Sequence, residues 1–207
     1  MGKPRATAVA DEAKVARAFS DSQVEIASFR MDLEGESDRA AVIIAASKLD
    51  ELLRDLIVSR LVPSNTSHDE LVDGDRPLSS FSARISIAFR LGLIDAEIAR
   101  SLDLIRKIRN DFAHSARLTS LSSEAHIKRV KELVRPFHRD PRFINMFLTE
   151  RKSRRKPTVK WIVTDEFIAC VTLLAVWIRA VTEVVVPLGA KGALHMLVPD
   201  EKKSVAK

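Results

Sequence analysis

The sequence predicts an all-α protein, a helical bundle, on three observations. Strand-favouring aromatics are scarce, with no Tyr among 207 residues, while Ala, Leu, Ile, Arg, Lys and Glu are plentiful, a mix that favours helices. Six Gly and eight Pro are too few for a collagen-like or low-complexity chain. Several long segments place apolar residues at steps of three and four, the helical period. The apolar share of 46% beside 30% charged residues is that of a soluble globular protein with a core of its own.

Taken in order, residues 1–30 form an N-terminal segment of weak periodicity that allows a short helix around Asp11–Phe19. The first strong element runs from about Ser37 to Leu61. Ser37 suits an N-cap and Asp38 the first turn, and Ile44, Leu49, Leu52, Leu53, Leu56 and Ile57 make one apolar face. The stretch from Pro63 to Pro77 carries two Pro, a Gly and several polar residues, and reads as a long loop. A helix over about Ser79–Leu91 follows, with Gly92 placed for a left-handed C-terminal cap. Asp95 caps the next helix, about Ala96–His114, with Ile98, Leu102, Ile105 and Phe112 as its buried stripe. Residues 121–135 read as a further helix, ended by the run from Pro136 to Pro141, Pro-Phe-His-Arg-Asp-Pro.

Residues 140–160 read as irregular and basic, with T158-V-K-W-I-V163 alternating weakly like a short strand. The last long element, Asp165–Val186 with Thr164 as its cap, contains F167-I-A-C-V-T-L-L-A-V-W-I178, apolar nearly all round. Arg179 and Glu183 follow in the same helix, so it reads as a core helix or a subunit interface, not a membrane span. The organisation expected is a single helical domain over 31–190, with a basic loop at 150–160 inserted, and a C-terminal tail at 191–207.

The formal charge of +6 is concentrated. R151-K-S-R-R-K-P-T-V-K160 holds six cations and no acid, which equals the whole excess. Such a segment attracts phosphate polymers without reading their sequence; it also suits a solvated loop. One cysteine, Cys170, excludes an internal disulfide and a cysteine-based zinc site. A reducing, cytoplasmic setting is expected. The N-terminus has no apolar core of a secretory signal.

The helix–Gly turn–helix outline of residues 79–100 resembles a DNA-reading motif, but the second helix would present Asp95 and Glu97 to the groove. An ordinary αα-corner fits better. His68, His126, His138 and His195 have no paired metal-ligand spacing, and no phosphate-loop or nucleophile-elbow motif occurs,. No cofactor and no metal is expected. Phe81, Phe89 and Phe112 read as core residues, and Trp161 as an anchor more readily than a base-stacking platform.

The segment I105-R-K-I-R-N-D-F-A-H-S115 is where chemistry concentrates. Residues four apart share a helix face, so Arg106, Asn110 and His114 line up, Arg117 extends the row, and Arg109 lies between that row and the apolar stripe. An Arg can clamp a phosphate and stabilise charge in a transition state. A His can accept and return a proton, and an Asn can orient either group. On RNA the neighbouring 2′-OH can attack, so no metal is required. Ordinary helix-end chemistry explains the same residues, since cations and His favour the last turn.

R109-N-D-F-A-H114 resembles the R-N-x-x-x-H motif of HEPN domains, which are all-helical, usually dimeric and in many cases metal-independent endoribonucleases. The resemblance implies phosphate binding by Arg109, acid/base chemistry by His114 and support by Asn110, with the motif residues of two subunits meeting at a homodimer cleft. A second resemblance covers about residues 37–117. L49-D-E-L-L-R-D-L-I-V-S-R-L61, then G74-D-R-P-L-S-S-F-S-A-R-I-S-I-A-F-R-L-G-L-I94, and the motif helix are similar to the mannitol operon repressor (MltR) family, most specifically over Pro77–Ile85 and Leu91–Ile94. It implies a helical transcriptional regulator, working through a regulatory protein partner without an evident DNA-reading motif.

The expectation is therefore a HEPN/MltR-like helical dimer acting on RNA, as a metal-independent endoribonuclease with Arg109, Asn110 and His114 as catalytic residues. Arg106, Lys107, Arg117, Arg151, Lys152, Arg154, Arg155, Lys156 and Lys160 would contact the nucleic acid. The alternative is a non-catalytic repressor.

Overall fold

Among the described residues, six α-helices and one short 3-10 helix form the defined elements, Pro141, Phe143 and Ile144 are also helical, and there is no strand. The computed structural model describes residues 12–66, 69–115, 119–141, 143–144 and 159–189. The helices are α1 (Glu12–Glu34), α2 (Asp38–Arg60), α3 (Phe81–Arg90), α4 (Ala96–His114), α5 (Glu124–Val134), continued by a 3-10 turn (Arg135–Arg139), and α6 (Val159–Val184). Helix α6 packs against α1, α2 and α5, and α4 packs against α2, α3 and α5.

Local chemistry sets most of the helix ends as expected. Ser37 accepts from the Ala40 N–H at 3.2 Å, and Asp95 from the Ile98 N–H at 2.8 Å. Each satisfies an amide that the first turn leaves without a helical partner. Ser80 does the same for Ala83 at 3.2 Å. Gly92 takes a positive φ of 69°. The Leu93 N–H then reaches back to the Ala88 carbonyl at 2.9 Å, the paperclip closure that a left-handed residue permits.

Two elements differ from expectation, both at the ends of the chain. Helix α1 is far longer than a turn or two around Asp11–Phe19, and it crosses the expected boundary at residue 30. Its buried stripe is Ala18, Ser22, Ile26, Phe29 and Leu33. Steps of four, four, three and four are helical, but the stripe is narrow and includes Ala and Ser, so its pattern is faint. The surface it covers is α6.

Helix α6 begins at Val159, so the weakly alternating stretch ending at Val163 is helical and not a strand. Val163 continues the buried surface of Phe167, Cys170, Val171 and Leu174, and packing overrides the local β-preference. Thr164 lies inside the helix and does not cap it. Its hydroxyl donates to Asp38 Oδ1 at 3.1 Å. Residues Ile162–Val184 are long and apolar enough to cross a bilayer by length and composition, but most of that surface is buried inside the bundle.

Smaller differences follow from helix rotation. In α2 the buried face is Ala41, Val42, Ala45, Ala46, Leu49, Leu52, Leu53, Leu56 and Ile57, while Ile44 stays 37% exposed. Phe112 is fully buried and Phe81 packs at the core edge, but Phe89 is 47% exposed and is not a core residue.

The long loop between α2 and α3 is pinned from both sides. Arg54 Nη2 lies 2.6 Å from Asp73 Oδ1. From α3, the buried Arg84 donates through Nε to the Leu78 carbonyl at 2.8 Å and through Nη1 to Asp50 Oδ1 at 2.8 Å. At the other end of α2, Asp38 Oδ2 accepts from Ser120 Oγ at 2.7 Å and from the Leu121 N–H at 3.0 Å, and Arg39 donates to the Ser115 carbonyl.

Candidate functional site

The C-terminal half of α4 carries the candidate residues. Its buried stripe, Ser101, Leu102, Leu104, Ile105, Ile108 and Phe112, leaves Lys107, Arg109 and His114 exposed and Arg106 and Asn110 half-exposed. Arg106 lies against Asp103, with Nε and Nη2 at 3.0 and 2.8 Å from Oδ1, and Lys107 Nζ is 2.8 Å from Oδ2. One carboxylate thus faces both cations. Burial pushes the Asp103 carboxyl up, but Lys107 and Arg106 together hold it below the usual Asp range.

Arg109 Nη1 donates to Asn110 Oδ1 at 3.1 Å. Its charge also acts on Asp50 of α2. Burial raises the Asp50 carboxyl, and Arg84 and Arg109 offset only part of that rise. Arg109 and Asn110 are therefore brought together. Arg109 and His114 stand five residues apart on α4, which at 3.6 residues per turn sets their positions about 140° apart around the helix axis.

Of the other expected nucleic-acid contacts, Arg117, Arg151, Lys152, Arg154, Arg155 and Lys156 lie outside the described residues. Lys160 falls in the first turn of α6, with its side chain outside the description. Among the described residues, no group of three or more His, Cys, Asp or Glu is arranged to hold a metal ion.

A cluster that the sequence did not reveal sits on the opposite flank of α4. Asp111, inside R109-N-D-F-A-H114, pairs with Arg129 of α5 and faces His126 Nε2 at 3.3 Å. Burial raises the Asp111 carboxyl, but Arg129 and His126 outweigh it and hold the group below the usual range. The His126 ring is buried, stacked on Phe112 at 4.9 Å. His126 and Arg129 are three apart on α5 and so share a face; nothing local points from them to Asp111.

This cluster contains Asp, His and Ser, yet it does not work as a hydrolytic triad. His126 Nδ1 lies 2.9 Å from Ser123 Oγ and 3.0 Å from the Ser120 carbonyl. A carbonyl oxygen only accepts, so the Nδ1–H is the donor there. A nitrogen that already holds a proton cannot take one from Ser123. The cluster joins α4, α5 and the preceding turn.

No protein family profile and no curated protein sequence matches the chain. Among solved structures, the fold matches a chain in the X-ray structure of the MtlR-HPr complex from Escherichia coli, with a TM-score of 0.51 and 18% identity. The match covers 81% of this chain and 99% of that one. The protein thus has the all-helical fold of that chain, over nearly the whole of the latter's length.

Proposed function

We propose that the protein is a helical regulator of the MltR-like kind, cytoplasmic, acting by binding a regulatory protein partner. The observation that carries this reading is the fold match across nearly all of a chain from the MtlR-HPr complex. The residues of the MltR-like stretch also have a clear structural use. Arg84, from the stretch Pro77–Ile85, fastens the α2–α3 loop to Asp50. HPr, the partner named in that complex, is the first candidate partner here. The test is isothermal titration of the purified chain with HPr from the same cell, beside a titration with single-stranded RNA. Saturable heat with HPr supports the reading. Salt-sensitive RNA binding with no HPr binding overturns it.

A second reading keeps the RNA chemistry: a homodimeric, metal-independent endoribonuclease using Arg109, Asn110 and His114. It is favoured by the solvent-facing position of Arg109 and His114 near the end of α4. In this reading the motif residues of two subunits meet at a shared cleft, as the HEPN resemblance implies. The test is cleavage of single-stranded RNA in EDTA by the wild type and by His114→Ala. Activity lost in the variant supports the reading. Equal cleavage by both removes His114 from the mechanism, and none by either leaves the regulator.

A further inference from the structure

Helix α1 has a second face that no described element covers. Ser20, Val24, Ala27 and Met31 are all exposed and follow one another at steps of four, three and four, so they form one stripe along the helix. Ser20, Val24 and Met31 each stand two residues after a member of the buried stripe, Ala18, Ser22 and Phe29, which sets them about 200° round the axis. The stripe therefore points away from α6. Val24 is 78% and Met31 66% exposed, the two most exposed large apolar side chains among the described residues. Placed on one face of one helix, they make a surface that gains from being covered.

The charges beside the stripe indicate the cover. Lys14 and Arg17 lie towards its N-terminal end, and Asp32, Glu34 and Glu36 at and beyond its C-terminal end. Arg17 has only a loose contact with Asp21, 3.7 Å apart with both side chains well exposed, which contributes little. The last turn of α1 holds Asp32 and Glu34 and no base, against the preference of a helix C-terminus for cations, so local helix chemistry does not account for the acids. Arg30 fixes the Glu34 carboxylate through Oε1 at 2.7 Å. One end of the face is thus cationic and the other anionic. Such a face complements itself when it is reversed, the arrangement that a two-fold axis produces. With the axis crossing between Glu25 and Ile26, Val24 meets Ala27 of the second copy, Ser20 meets Met31, and Arg17 meets Glu34. Each large apolar side chain then lies on a small residue, and each cationic end on an anionic one.

We propose that α1 is the surface through which two copies of this chain pair, antiparallel, along Ser20–Met31. The pairing uses none of the α4 residues, so its failure leaves both functional readings untouched.

Sedimentation equilibrium of the full chain over a dilution series tests the pairing. A reversible dimer is expected for the wild type. Val24→Glu with Met31→Glu should raise its dissociation constant at least about tenfold, because like charges then crowd one contact; circular dichroism checks that the helices persist. A wild type that stays monomeric throughout overturns the proposal. So does a dimer that the two substitutions leave unchanged, which assigns association to another surface. Direction is tested with Ser20→Cys and Met31→Cys chains under mild oxidation, each alone and then mixed, with the buried Cys170 left in place. A crosslink in the mixture only is expected, since in the antiparallel pair the two copies of either position lie about 16 Å apart along the axis, beyond the reach of a disulfide. A crosslink by either variant alone overturns the antiparallel arrangement, as does a mixture that forms none while both new thiols react freely.

Discussion

Arg84 on α3 and Asp50 on α2 lie with Nη1 and Oδ1 2.8 Å apart, while Arg84 Nε holds the Leu78 carbonyl. One guanidinium therefore ties two helices and the loop between them. The planar fork is needed because its donors point to different elements.

Removing that fork leaves a half-buried carboxylate and a carbonyl without their donor. Arg84→Met is expected to cost about 2–3 kcal/mol, below the range for a fully buried pair because Asp50 keeps some solvent. The urea midpoint measures it. Arg84→Lys is expected to be destabilised as well, since an ammonium cannot reproduce the fork. A lysine variant as stable as the wild type would show that charge alone suffices.

The cluster at Asp111 makes stability depend on acid. Arg129 and His126 hold the Asp111 carboxyl below its ordinary range, against the opposing effect of burial. A carboxyl depressed in the folded state stabilises the fold above its unfolded pKa, and that contribution fades as pH falls through the folded value. Asp50 and Glu166 act in the opposite sense, because burial raises both. The difference between wild type and Asp111→Asn isolates the first effect. Denaturation across a pH series should show the two proteins converging in stability at low pH.

Asp38 accepts from Ser120 Oγ, the Leu121 N–H and Thr164 Oγ1, tying the start of α2 to the turn before α5 and to α6. Asp38→Ala is expected to destabilise by about 2 kcal/mol, from three lost bonds to a charged acceptor and a lost charge at a helix N-terminus. Hydrogen exchange reports it locally. The Leu121 amide should lose protection more than the amides in the middle of α4.

His114 is exposed in the last turn of α4. His114→Ala should change stability by no more than about 0.5 kcal/mol, as for other surface substitutions. A thermal scan at pH 8 checks this. Any effect on RNA or on a partner can then be assigned to the imidazole itself.

Cys170 is fully buried, and burial pushes its thiol well above the ordinary range. Since the thiolate is the reactive form, iodoacetamide should label Cys170 only after denaturant is added. Labelling of the native chain at a comparable rate would mean that α6 opens.

What was legible in the sequence was whatever depends on neighbours within a turn or two. Ser37, Gly92 and Asp95 act where capping chemistry places them, because a cap satisfies amides and carbonyls only a few residues away. The ends of the chain were less legible. Helix α1 and the first turns of α6 owe their state to partners that are distant in sequence.

The same division runs through the candidate site. Arg106, Asn110 and His114 follow from the helical period, and Asp103, three and four residues before Arg106 and Lys107, could have been read as their counter-charge. The Asp111–His126 contact spans 15 positions, and the Arg84–Asp50 contact spans 34. No local pattern announces either.

The packing of α1 on α6 joins the two ends of the described chain. During synthesis the first helix leaves the ribosome long before the surface that will shelter Ile26, Phe29 and Leu33 has been made. Pairing of such distant segments carries a loop-closure cost and slows folding. The nascent protein must therefore wait for its last helix with an apolar stripe uncovered, and a ribosome stalled before residue 159 would hold a chain unable to close.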